Sequence, residues 1–358
     1  MRIKHLLRTD FPNLYSKLKR VYQKREIEKH REMSVSAIVS ELGKMYRKRI
    51  GLPLDLSDPK RYTEKIQWVK LYGCSDQSTL LSDKYAVRDW VERKIGSEYL
   101  IPLLGVWESV DEINIDELPQ AFVLKTNNAS GTNILVRDKR EMDWRKTKRV
   151  LNDWLFMDYA YYSFELQYKD IAPRIIAEEL MKPAEGESDL RDYKFLCFDG
   201  EPAYIWVDVN RNTNHARAVY NLRWELQSWN QCDYPEKVDV EKPQSFDEMI
   251  ELAKILSSGF PHVRVDLYEI NGRPYFGEMT FTNGSGFERI DPIEYDELLG
   301  SMWTIDSAED PYELVKREGR PQYIEGAQTT AEGHPQISRY PRQEAKVTSA
   351  KPSGYLGR

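Results

Sequence analysis

Histidine and cysteine are scarce in this chain of 358 residues, which has five of the first and three of the second. Cys74, Cys197 and Cys232 are odd in number and far apart. That excludes a disulfide framework and paired zinc spacings, and it fits a reducing compartment. No GxxxxGK[ST] occurs, so the phosphate loop of that type is missing, and without a GxGxxG a dinucleotide fold lacks its fingerprint. No apolar run is long enough to span a bilayer, and Met1 to Asp10 lacks the apolar core of a signal peptide. A cytoplasmic protein is expected. The net charge of −6 gives no basis for non-specific nucleic-acid binding.

What is present is a soluble globular balance, 41% hydrophobic and 31% charged, in a chain long enough for two or three compact units. The charge is uneven. Residues 1–50 hold fourteen Lys/Arg against five Asp/Glu. Leu14, Leu18 and Val21 repeat on one helical face, and Val35, Ile38, Val39, Leu42 and Met45 on a second. These basic helices, residues 1–55, offer a contact for an anionic membrane surface; a solvated helix face is the alternative. Thr63-Glu64 opens a short helix, and Ser82 is expected to cap another from Asp83 to Lys94. The apolar run 99–107 reads as a strand. From Gly319 onward the composition is too polar to bury a core, so 319–358 is expected to be a disordered tail.

Two stretches carry chemistry. In AFVLKTNNASGTNILVR (121–137) a buried strand delivers Lys125 to a loop of small polar residues, and a second strand follows. Ser130 and Gly131 at the tip can fold over phosphates, with backbone N–H groups as donors and Lys125 as the point charge. The other stretch is HVRVDLYEINGRPYFGEMTFTNGSG (262–286). Val263, Val265 and Leu267 alternate with Arg264, Asp266 and Tyr268, and Asn271-Gly272 is a two-residue hairpin turn. Asp266 and Glu278 lie five and six residues from that turn, nearly opposite each other, where side chains stand about 5 Å apart. Carboxylates that close repel unless a cation or a proton lies between them. Mg²⁺ suits such a pair, because it takes one or two carboxylates and completes its shell with nucleotide phosphates and water. Arg264 shares the face of Asp266, ready for a further phosphate or carboxylate oxygen. A solvated hairpin face with one salt bridge is the alternative. Asp192 to Phe198 and Pro202 to Val209 read as a second hairpin around Asp199-Gly200, with Lys194 on its first strand.

Six fragments in this order resemble the ATP-grasp superfamily: DKYAVR (83–88), FVLKTNNASGTN (122–133), IIAEEL (175–180), DYKFLCFDG (192–200), VRVDLY (263–268) and FGEMTFTNGSG (276–286). From about Leu56 to Trp303 the chain resembles its TupA-like branch, named for teichuronopeptide synthesis. The resemblance implies an α+β fold in which two α+β subdomains sandwich ATP, preceded by the N-terminal helices. It divides the chain into 56–120 leading to the nucleotide site, a lid subdomain at 121–180 and a catalytic subdomain at 181–318. It also implies a role for each matching residue. Lys125 would hold the α- and β-phosphates beneath Ser130-Gly131, with Lys84 as the earlier basic residue of the pocket. Glu178 and Glu179 would read adenine and ribose at the hinge. Lys194 would meet the γ-phosphate, Asp266 and Glu278 would bind Mg²⁺, and Arg264 would steady an acyl phosphate. Thr280 stands where many relatives place an Asn magnesium ligand, a departure that weakens the case for a second metal; Asn283 is nearby.

The implied reaction joins a carboxylate to an amine at the expense of ATP, in this branch an amino acid to uronic acids of cell-surface polysaccharide. A carboxylate lacks a leaving group until its oxygen is phosphorylated, and such phosphoryl transfer is mostly positioning and charge neutralisation. The acyl phosphate must be kept from water, which a mobile lid can do. No Ser, Cys or His nucleophile is needed. Three rival readings remain at this point. A glycosyltransferase of the metal-dependent kind commonly carries Asp-x-Asp, and no two aspartates here are two residues apart. A kinase-type phosphotransferase and a non-catalytic nucleotide-binding module are the others.

Overall fold

The computed structural model describes residues 12–183, 189–210, 215–231 and 238–305, and side chains of the first helix from residue 21. The tail expected at 319–358 lies outside the described residues.

Two helices open the described chain, α1 (Pro12–Arg31) and α2 (Val35–Ile50). Ser34 caps α2, its hydroxyl accepting from the Ala37 N–H at 3.3 Å, and Gly51 ends it in the left-handed conformation. Val35, Ile38, Leu42, Tyr46 and Ile50 are its buried side, the three-to-four spacing of an amphipathic helix. Helices α3 (Tyr62–Tyr72), α4 (Asp76–Ser82) and α5 (Val87–Ile95) follow. The helix expected over Asp83–Lys94 is therefore shorter, and Ser82 closes α4 instead of capping α5. Asp83 is the reason: its Oδ1 accepts the N–H groups of Tyr85 and Ala86 at 2.8 and 3.2 Å, which makes a turn between the helices. Lys84 sits on that turn.

A four-stranded antiparallel sheet comprises β1 (Leu103–Trp107), β2 (Phe122–Thr126), β3 (Asn133–Val136) and β4 (Ile175–Glu179), ordered β1-β4-β2-β3. The strand expected from 99 begins only after Pro102, which has no N–H for a ladder. Helix α6 (Trp144–Leu155) covers one face, burying Leu151 against Phe122, Leu124, Ile175 and Ala177.

The larger sheet holds β5 (Asp192–Phe198), β6 (Glu201–Val209), β7 (Ala216–Asn221), β9 (His262–Ile270) and β10 (Arg273–Thr280), ordered β10-β9-β5-β6-β7 and antiparallel throughout. One face packs Tyr193, Phe195, Val207, Val263, Val265 and Leu267 against α5 and α7 (Phe246–Ser257). The opposite face is divided. Its apolar half, with Leu196, Phe198, Trp206 and Val219, meets α3, α8 (Ile293–Ser301) and a small ribbon of β8 (Asn230–Gln231) and β11 (Ile290–Asp291). Its charged half is where Asp192, Lys194, Asp208, Arg217, Arg264 and Asp266 are buried. Among the described residues no helix is long and apolar enough to cross a membrane.

One contact beneath the apolar half has a pH consequence. His262 is buried among the rings of Phe198, Trp303 and Tyr62. Its Nδ1 lies 2.8 Å from the Cys197 carbonyl oxygen, which can only accept, so Nε2 accepts from the Tyr62 hydroxyl at 3.1 Å. Burial pushes this imidazole down to about 3 from 6.5. The unfolded chain then binds the extra proton first, so the contribution is full above pH 6.5 and is lost as pH falls towards the folded value. Between pH 7 and 5 the loss is about 2 kcal/mol. Denaturant melts of the wild type and His262→Gln across that range should converge towards pH 5; a constant difference contradicts a neutral His262.

Candidate functional site

The hairpin β9–β10 turns at Asn271 and Gly272, with φ of 55° and 73°. A regular two-residue hairpin would set Asp266 opposite Gly277. Instead the register slips between Phe276 and Glu278, and Glu278 becomes the cross-strand partner of Asp266. Gly277 permits this bulge, since a Cβ there would lie 3.0 Å from the Asp266 carbonyl oxygen. The unequal spacing of the two acids from the turn was the mark of the bulge in the sequence.

Around the pair is a dense set of charges. Arg264 donates from Nε to Asp266 Oδ1 at 2.6 Å and from Nη2 to Oδ2 at 2.7 Å. The same Nη2 reaches Glu278 Oε1 and Thr280 Oγ1, both at 3.1 Å, and Nη1 bonds the Asn283 side-chain oxygen. Lys194 Nζ lies 3.0 Å from Asp266 Oδ2, bonds Asp192, and stands 3.7 Å from Asp208. Arg264 is therefore not held ready for a further oxygen, as its place on the strand had suggested. Its guanidinium is the cation that makes the two carboxylates tolerable side by side. Burial works against the charge of the Asp266 carboxylate, and Arg264 and Lys194 beside it favour that charge. Burial works against the charge of Lys194 as well, but Asp192 and Asp266 outweigh it and raise its ammonium above the ordinary value. An exposed strand lysine is excluded here, because Lys194 is 4% exposed.

Facing this floor is the four-stranded sheet. Lys125 Nζ meets Glu178 Oε2 at 2.5 Å, and Arg88 Nη1 meets Oε1 of the same carboxylate at 3.1 Å. Lys84 bonds the Ala129 carbonyl oxygen and lies 3.9 Å from Glu278 Oε2. Burial lowers its ammonium, and Glu278 raises it in part. Between the sheets is a cavity of about 120 Å³, lined by Lys84, Lys125, Ser130, Gly131, Glu178, Asp266 and Glu278, all singled out in the sequence, and by Arg88, Asn133 and Asp192, which were not. Small-molecule sites usually span about 300–1,000 Å³. The cavity is smaller than that range.

Four candidates lie outside the lining. Lys194 and Arg264 hold its floor from beneath, and Thr280 sits beside Glu278, donating to Oε1 at 3.2 Å. Glu179 is exposed and makes no part of the cavity. Side chains alternate along β4, so Glu178 and Glu179 cannot both enter it.

The donor chemistry fits magnesium within narrow terms. Among the described residues no cluster of three or more His, Cys, Asp or Glu could hold a metal. The floor offers two carboxylates and the Thr280 hydroxyl, oxygen donors only, so the remainder of a shell would come from phosphates and water.

A family model described as TupA-like ATPgrasp matches residues 64–304, about two thirds of the chain. A search of curated proteins finds no match. Among solved structures the chain is similar to a D-alanine–D-alanine ligase from Bacillus anthracis complexed with ATP, at 16% identity over 56% of this chain and 55% of that one, with a TM-score of 0.34. It is also similar to a D-alanine–D-alanine ligase from Helicobacter pylori, at 13% identity over 71% and 73% with a TM-score of 0.36. A third is an L-amino acid ligase from Bacillus licheniformis, at 13% over 57% and 42%, also 0.36. The chain spans about half the length of the first of these ligases.

Proposed function

The chain belongs to the TupA-like ATP-grasp family, and we propose that it is an ADP-forming carboxylate–amine ligase. The observation that carries this reading is the facing of Asp266 and Glu278 by Lys84 and Lys125 across one cavity. Residues 121–180 act as the lid, 181–318 as the catalytic subdomain, and 56–120 lead into the site. ATP lies between the sheets. Lys125 leaves Glu178 for the α- and β-phosphates, while Arg88 retains the Glu178 carboxylate beside adenine and ribose. The Ser130-Gly131 loop closes over the phosphates. Lys84 adds charge from the other side, and Lys194 reaches the γ-phosphate from the floor. Asp266, Glu278 and Thr280 would hold magnesium, which would supply positive charge against the phosphates. Arg264, where the two carboxylates meet, steadies the acyl phosphate. The substrate carboxylate oxygen attacks the γ-phosphorus and ADP leaves. The amine then attacks the acyl carbon and phosphate leaves, with the lid excluding water.

The substrates follow the family: a carboxylate-bearing saccharide of the uronic acid kind and an amino acid, joined during cell-surface polysaccharide synthesis. ADP release on adding amino acids and uronic-acid sugars in turn tests this. Release with amide formation is expected only when both are present. ADP formed with the sugar in step with a stable phosphate ester, and no amide once the amine is added, would establish a phosphotransferase instead.

A cytoplasmic enzyme acting on such saccharides can work at a membrane surface, and the N-terminal helices suit this. On α1, Val21 and Tyr22 are 51% and 64% exposed, next to exposed Lys24 and Arg25. Co-sedimentation with phosphatidylserine vesicles is expected at low salt and should fade as the Debye length falls to about 10 Å at 0.1 M. No binding at low salt would leave α1 as a solvated helix.

A further inference from the structure

The charged half of the large sheet continues past the cavity into residues with no part in the reaction above. Asp192, Asp208 and Arg217 lie in one row across β5, β6 and β7. Arg217 grips both oxygens of Asp208, Nε to Oδ1 at 2.5 Å and Nη2 to Oδ2 at 2.8 Å. Its guanidinium stands over the Trp206 ring at 5.3 Å, and Nη1 lies 3.6 Å from Glu288. Asp208 and Arg217 are 1% and 4% exposed, and neither lines the cavity. Yet Asp208 Oδ2 is 3.7 Å from Lys194 Nζ, whose other partners, Asp192 and Asp266, do line it.

Lys194 is thus contested between carboxylates on the cavity floor and one further along the sheet. We propose that Arg217 is a positioning residue for Lys194: by engaging both oxygens of Asp208 it prevents that carboxylate from drawing the ammonium off the floor. Without Arg217 a buried carboxylate is left uncompensated, and Lys194 is the permanent cation within reach. His215 Nε2 also lies 3.4 Å from Asp208 Oδ1. The inference rests on the reading of Lys194 as the γ-phosphate partner.

The test is equilibrium binding at pH 8, in magnesium, of ADP and of a non-hydrolysable ATP analogue; the ratio of the two affinities isolates recognition of the γ-phosphate. In Arg217→Gln the preference for the analogue should fall about tenfold, the worth of one hydrogen bond to a charged group, while ADP affinity holds. Asp208→Asn added to Arg217→Gln removes the competing charge and should restore the preference, a rescue that general loosening of the sheet cannot produce. Arg217→Lys keeps the buried charge without the two-pronged grip, and should give an intermediate loss if Arg217→Gln is too unstable to purify. An unchanged ratio in folded Arg217→Gln or Arg217→Lys, or no rescue in the double variant, overturns the proposal. Lys194→Met, made with Asp192→Asn to balance the buried charge, tests the reading beneath it. If that variant keeps the wild-type ratio, Lys194 does not meet the γ-phosphate and the role of Arg217 falls with it.

Discussion

Glu278→Gln is expected to lose about a hundredfold or more in ADP formation while melting close to the wild type. The substitution keeps shape and nearly the volume and removes one negative charge. The Glu278 side chain is 34% exposed and touches Arg264 through one oxygen, so the folded chain loses little. The bound phosphates lose half of the carboxylate charge that would anchor their magnesium. Asp266→Asn should be as inactive but different in stability. From the sequence, neutralising either acid relieves a repulsion, and both variants should fold at least as well as the parent. The structure reverses this for Asp266, which is 1% exposed and holds Arg264 and Lys194 together. Its neutralisation leaves two buried cations short of a partner and should cost about 3 kcal/mol. Steady-state ADP formation against magnesium concentration, alongside melts of the same variants without nucleotide, separates the cases. Full turnover in both removes magnesium from this pair, and with it most of the case for a ligase.

Lys125→Ala should weaken ATP binding by about tenfold or more, since a charge-assisted contact to phosphate is lost. Its effect on folding should be smaller, because Arg88 still holds the partner carboxylate Glu178 from the other side. A surface lysine would show the reverse, with nucleotide affinity untouched and well under about 1 kcal/mol of stability lost. Titration of the folded variant with ATP decides. Unchanged affinity would take Lys125 out of the site.

The parts of this site that could be read from the sequence were those with a local signature. Asn271-Gly272 announced the hairpin through the positive φ both residues adopt. The alternation around Asp266 placed it with Arg264 on one face, and the count from the turn brought it to Glu278. Lys125 and the Ser130-Gly131 tip were legible because strand, loop and strand are contiguous. What escaped depends on contacts between distant segments. Arg88 meets Glu178 across ninety positions of sequence, and nothing on its own helix marks it. Arg217 and Asp208 look like ordinary strand charges until the ladder pairs them. The place of Arg264 on its strand is legible and its engagement is not, because Thr280 meets it across the ladder and Asn283 only after the chain leaves β10. Glu179 was grouped with Glu178 by adjacency, where strand alternation separates them. Ser82 had the residue type of a cap, but the Asp83 carboxylate next to it took the N–H groups.

Chemistry through an acyl phosphate leaves a mark that no other route shares. If the substrate carboxylate is labelled with oxygen-18 and turned over with ATP and amine, the oxygen that attacks the γ-phosphorus must depart with phosphate when the amide forms. Mass spectrometry of the released phosphate should show one labelled oxygen per amide, in step with ADP. Unlabelled phosphate, or label recovered in AMP, would contradict the account.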